Sequence, residues 1–139
     1  MPLDPTVVPE TLEQCFEQLQ AMMEEDPEGG ERFLETDERG KDVTYMYHHT
    51  LGRWIRNNWG LNHSHGKLHA WLTKLGLHHP DDMSGLILTS FWRHKNGKDL
   101  DIDGQVQYFK NYWERMEKQP PAPVVTFGRR TDDEDTASD

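Results

Sequence analysis

The spacing of the apolar residues limits most strongly what this chain can fold into. Leu12, Cys15, Phe16, Leu19, Met22 and Met23 recur three and four residues apart, the repeat of one helix face. Thr11 followed three residues later by Gln14 fits a capping box at its start, and the DPEGG run at 26–30 ends it. ERFLETDERGKD then reads as a loop with a helical turn around Phe33 and Leu34. A second helix is predicted from Val43 to Asn58. It carries Tyr47, Leu51, Trp54 and Ile55 on one side with Trp59, and His48, Arg53 and Arg56 nearer the other; Gly60 stops it. Ser64 is the predicted cap of a third helix bearing Leu68, Trp71, Leu72 and Leu75, closed by Gly76. In the fourth, Pro80 suits the first turn and Asp81 and Asp82 complement the positive end of the helix dipole. Its inward residues are Met83, Leu86, Ile87, Leu88 and Phe91, and Asn96-Gly97 closes it. The fifth is capped by Asp103 and turns Val106, Phe109, Tyr112, Trp113 and Met116 inward. Trp54, Leu72, Ile87 and Trp113 are expected in the core.

No alternating stretch argues for a strand, and no repeat is visible. The expectation is therefore an all-α, single-domain bundle of four or five helices over residues 10–118. An extended lead-in precedes it at 1–9, and a disordered tail, proline-rich and then acidic, follows at 119–139. At 139 residues one domain is the natural division. Hydrophobic content is low at 34%, but five Trp, five Phe and four Tyr bury much area per residue. Cys15 stands alone, so neither an internal disulfide nor a zinc cluster is expected, and a reducing cytoplasm is the expected compartment. No apolar run reaches the roughly 18 residues of a membrane span, and the N-terminus lacks the pattern of a signal peptide.

Charge is unevenly spread. The chain carries −10 overall, residues 1–43 alone carry −10, and residues 44–98 carry +5 with all eight histidines. Within that block, RWIRNNWGLNHSHGKLHAWL (53–72) holds three Trp, three Asn, three His and three cations, and no carboxylate. The expectation is that Trp54, Leu68, Trp71 and Leu72 turn inward while Arg53, Arg56 and Lys67 stay in water as a basic face for an acidic or phosphate-bearing partner.

HHTLGRWIRNNWGL, GLHHPDDMSGLILTSFWRHKNGK and QVQYFKNYW together resemble a small bacterial and phage family described as a domain of unknown function. Its members open on a P-x-T-L-E-E-A helix, matched here by Pro9 to Cys15. They then carry an NNWGL box, an HPDDMS box and an ILTSF-x-R-x-x-NGK helix. The resemblance spans most of residues 9–115; NHSHGKLHAW departs from the pattern. It implies no activity, and singles out Asn57, Asn58, Trp59, His79, Asp81, Asp82, Ser84, Arg93 and Asn96.

Four chemistries compete for these residues. His65 and His69, at i and i+4 on one helix, are the weak candidates for a metal site, but no HExxH and no completing ligand accompanies them, so no metal and no cofactor is expected. His79, Asp81, Asp82 and Ser84 could move protons, yet a helix start uses the same residues as caps, and no nucleophile elbow or glycine-rich phosphate loop is present. The third and fourth helices imitate helix-turn-helix spacing, but the second of them begins with two aspartates that phosphates would repel. Protein binding suits the surplus of aromatic, Arg and Met side chains best. The chain is therefore expected to be a non-catalytic protein that binds a macromolecule, a protein ahead of a nucleic acid or nucleotide, in an inhibitor, immunity or accessory role. The expected binding residues are Arg53, Arg56, Asn57, Asn58, Trp59, Lys67, His79, Asp82, Arg93 and Asn96. The alternative is a nucleotide- or phosphate-binding domain, or a small hydrolase, centred on Asn57, Asn58, His79 and Arg93.

Overall fold

A computed structural model describes residues 7–118; the first six residues and the expected tail at 119–139 lie outside the described residues. Six α-helices follow one another: α1 (Leu12–Glu25), α2 (Pro27–Phe33), α3 (Leu51–Asn58), α4 (Gly66–Leu75), α5 (Pro80–Lys95) and α6 (Ile102–Lys118). The all-α expectation stands with more helices than four or five. The extra helix arises where DPEGG stops α1, because the same residues start α2. The Asp26 carboxylate accepts from the Gly29 N–H at 3.1 Å, and Pro27 occupies the first turn, where no N–H is needed.

The α1 start is built as its sequence suggests. Thr11 Oγ1 accepts from the Gln14 N–H at 3.1 Å, and Gln14 Oε1 accepts in turn from the Glu10 N–H at 2.7 Å. The predicted second helix is split. Thr44–Tyr47 forms a 3₁₀ turn, and only Leu51–Asn58 is α-helical. Ser64 does not cap α4: it takes φ 52° in the loop, and His65 holds the cap position without a side-chain bond. Gly60 makes that loop possible, since a Cβ there would lie 2.4 Å from the His65 carbonyl oxygen. Asp101, not Asp103, caps α6, accepting from the Gly104 N–H at 3.2 Å.

α5 is the axis of the bundle, touching α1, α3, α6 and the 3₁₀ turn. Met83, Ser84, Leu86, Ile87, Leu88, Ser90, Phe91 and Trp92 are all buried on it. Cys15, Leu19, Phe33, Ile55, Trp59, Leu61, Leu68, Leu72, Leu77 and Val106 complete the core. Leu72 and Ile87 are inside as expected, but Trp54, Trp71 and Trp113 are only half-buried. The buried tryptophans are instead Trp59, at 1% exposure, and Trp92, which donates its indole N–H to the Glu35 carbonyl at 3.0 Å. Tyr112 and Met116, expected inward, are exposed. α6 packs through Val106 and the half-buried Phe109 and Trp113, and a single contact stripe leaves no room for residues beside it.

Candidate functional site

A trough runs along α5. Its floor is the face bearing Asp81, Asp82, Gly85, Leu88, Thr89, Trp92 and Arg93. One wall is α6, which runs antiparallel to the floor: Trp113 meets Asp82, Phe109 meets Gly85, and Gln105 meets Ser90. The other wall is the segment from Glu35 to His49, also antiparallel: the Glu35 carbonyl meets Trp92, Thr44 meets Thr89 at 3.1 Å, and His48 meets Asp81. The trough encloses about 950 Å³ and is open to solvent. Tyr45 on one wall and Tyr108 on the other stand 70% and 63% exposed.

The loop wall is shaped by its own polar groups. Asp37 Oδ1 accepts from the Arg39 and Lys41 N–H groups at 2.8 and 2.9 Å, folding residues 37–41 into a tight turn. The Lys41 N–H, with the Arg39 charge, holds the Asp37 carboxyl below its usual range. Thr44 bonds Asp42 through its hydroxyl, which sets the start of the 3₁₀ turn.

At the α5 N-terminus lies a buried cation. Arg56 leaves α3 with only 8% of its side chain exposed. Its Nη1 donates to Ser84 Oγ at 2.8 Å, its Nη2 donates to the His48 carbonyl at 3.0 Å, and its Nε lies 3.5 Å from Asp81 Oδ1. Nη1 also approaches His48 Nδ1 at 3.4 Å. On the other side of the ring, His48 Nε2 faces Asp81 Oδ2 at 3.6 Å. Arg56 thereby ties α3, α5 and the loop wall together. Beside it, Asp82 accepts the Trp113 indole N–H at 2.7 Å, and Trp113 stacks on His79 with centroids 3.8 Å apart. Burial pushes the Asp82 carboxyl above its usual range, against the opposing pull of Trp113 and His79.

Of the residues singled out by sequence, Asp81, Asp82, Ser84 and Arg93 line the trough, and of the expected binding residues Asp82 and Arg93 do. His79 reaches it through Trp113. The expected basic face is not assembled, because Arg56 is inside and paired with Asp81. Arg53 is exposed, and Lys67 sits 3.7 Å from Glu10. Asn57 and Asn58 are exposed at the end of α3, where Asn57 accepts from Asn62 and Asn58 donates to the Trp54 carbonyl. Trp59 is core rather than a binding residue, and Asn96 donates to the Trp92 carbonyl at the α5 end. Among the described residues no group of three or more His, Cys, Asp or Glu side chains converges on a point, at His65 and His69 or elsewhere.

Sequence reasoning missed Tyr45, His48, Thr89, Gln105 and Tyr108. A signal for Tyr108 was present: Tyr108-Phe109 and Tyr112-Trp113 are adjacent pairs, and one helix stripe cannot bury both members of either.

Residues 8–95 match the family model described as a domain of unknown function (DUF6794). The chain belongs to that family. No curated protein and no solved structure matches it. The DUF6794 match takes in the trough's floor and its loop wall, and it stops before α6, so the second wall and QVQYFKNYW lie beyond it. No helix among the described residues is long and apolar enough to cross a membrane.

Proposed function

We propose that this DUF6794 protein is a non-catalytic binding module that takes an exposed segment of a protein partner into the trough along α5. One observation carries the reading: polar groups of both signs converge between two walls that each present a solvent-exposed tyrosine. Tyrosines supply large, rigid, amphipathic contact area at little entropic cost. A mixed-charge lining matches a polypeptide better than it matches a polyphosphate, which the carboxylates of Asp81 and Asp82 would repel. The nucleotide, phosphate or hydrolase alternative has less support, since of Asn57, Asn58, His79 and Arg93 only Arg93 lines the trough. A small acidic protein of bacteria or phage, as the resemblance implies, suits an inhibitor, immunity or accessory role.

Site-specific photo-crosslinking in native host cells tests the proposal. A crosslinker placed at Tyr45 or Tyr108 should give one dominant protein adduct by mass spectrometry, while one placed at Arg53 or Asn58 should give none. Adducts formed from the Arg53 side and not from the trough would overturn it.

A further inference from the structure

We infer that the trough reads its peptide in one direction, with a cationic side chain held at the Asp82 end and a carboxylate at the Arg93–Lys98 end. The inference rests on the trough being the binding site, and it follows from how the lining charges are distributed along the floor. Asp81 is engaged by Arg56 and His48. Asp37 is paired with Arg39, whereas Asp42 and Asp101, like Asp82, accept only from uncharged donors among the described residues. Among the described residues Asp82 accepts from a neutral indole N–H and has no Lys or Arg within ion-pair distance, with the His79 ring stacked on that indole. At the opposite end, Arg93 spends Nη1 on the Asp99 carbonyl, and its Nε is buried with no partner among the described residues. Lys98 lies 5.7 Å from the Trp92 ring centre, and among the described residues neither it nor Lys41 forms an ion pair. At the α5 N-terminal end of the floor Asp81 and Asp82 face the single cation Arg56 among the described residues, and toward its C-terminal end Arg39, Lys41, Arg93 and Lys98 outnumber Asp37, Asp42 and Asp101, so the net charge is negative at the first end and positive at the second.

The two ends are eleven residues apart on one straight helix, or about 16 Å. An extended chain covers that span in about five residues. The fitting ligand is a linear peptide segment with Lys or Arg and Asp or Glu about five residues apart. Apolar or aromatic side chains between them would lie over Gly85 and against Tyr45 and Tyr108. Gly85 is the one floor position without a side chain, and a Cβ there would meet only the Phe109 ring, at 3.6 Å.

The test is selection of random linear heptapeptides on the full-length protein, followed by binding measurements on the selected peptides and their sequence-reversed forms. Selected peptides should carry the two charges in one fixed order. Each should bind about five- to tenfold more tightly than its reversal, and the gap should shrink in high salt. Asp82→Asn should erase the preference for a cation, and Lys98→Glu should turn the preference for an anion into one for a cation. Selected peptides without a charge order, or reversals that bind equally well, would overturn the directional reading. If they nevertheless lose binding to a folded Gly85→Leu protein, the trough itself survives as the site. If the wild type selects nothing beyond what Gly85→Leu selects, both readings fall. Should Gly85→Leu not fold, a crosslinker at Tyr108 that labels the same peptides makes the same distinction.

Discussion

Two side chains show how position changes chemistry at the scale of single residues. Cys15 is fully buried in the α1 stripe, and burial pushes its thiol up to about 12. Without thiolate and without access, it should not react. Iodoacetamide at pH 8 should leave the native protein unlabelled and label it stoichiometrically in denaturant, as read by intact mass. Asp82 is the opposite case, a carboxyl kept half-buried beside Trp113. The folded protein holds the Asp82 proton more tightly than the unfolded chain does. Its favourable contribution is thus fully present below the ordinary carboxyl value of about 3.9 and is lost as pH rises through the raised value. Asp82→Asn keeps an acceptor for the Trp113 N–H and removes the titration. Denaturant melts should therefore show the variant at least as stable as the wild type at pH 7, with its relative advantage shrinking as pH falls toward 4. An advantage that grew on acidification would contradict this account.

Among the elements, α3 and α5 are held together by Arg56 as well as by apolar packing. Its guanidinium fits against buried Gly52, where a Cβ would stand 3.1 Å from Nη1. Arg56→Ala removes donors from Ser84 and from the His48 carbonyl, and should cost about 2–4 kcal/mol in urea melts. Arg56→Lys should recover little of this, because one ammonium cannot serve Ser84, His48 and Asp81 in the planar geometry of a guanidinium. Gly85 tests α5 from its other face. The space above it is open apart from Phe109, so Gly85→Ala should stabilise the protein by about 0.5–1 kcal/mol through helix propensity. A loss of stability would show that the floor is more tightly closed than the trough requires.

At the scale of the whole molecule, the trough exists because two segments far apart in sequence both lie antiparallel against α5. The loop wall precedes α5 by some forty residues, and α6 follows it. α6 also closes the core, through Val106 and Phe109. A chain ending at Lys98 should therefore be less stable by about 3 kcal/mol or more, with a smaller denaturant dependence, since it buries less surface. Unchanged stability would make α6 an appendage and the trough half-built.

Helix faces were readable from sequence because they are local. Apolar residues three and four apart, a glycine after α4, and a proline and two aspartates opening α5 each act within one turn, and each is where the chain alone places it. The split of the predicted second helix and the position of Ser64 were not readable, because both depend on a loop closing on Gly60. Arg56 shows the limit most clearly. Within its own segment it is one more cation of a basic block, and a charge is expected in water. It is buried only because Asp81 and Ser84, more than twenty residues away, and the His48 carbonyl, eight residues back on the other wall, reach it together. Asp82 and Arg93 were found by resemblance, but that they lie at opposite ends of one trough was decided by packing. Local spacing determines which face of a helix is apolar. Which polar groups the remaining faces bring together is settled only when helices and loops meet, because the free energy of a buried charge depends on partners supplied by the whole fold.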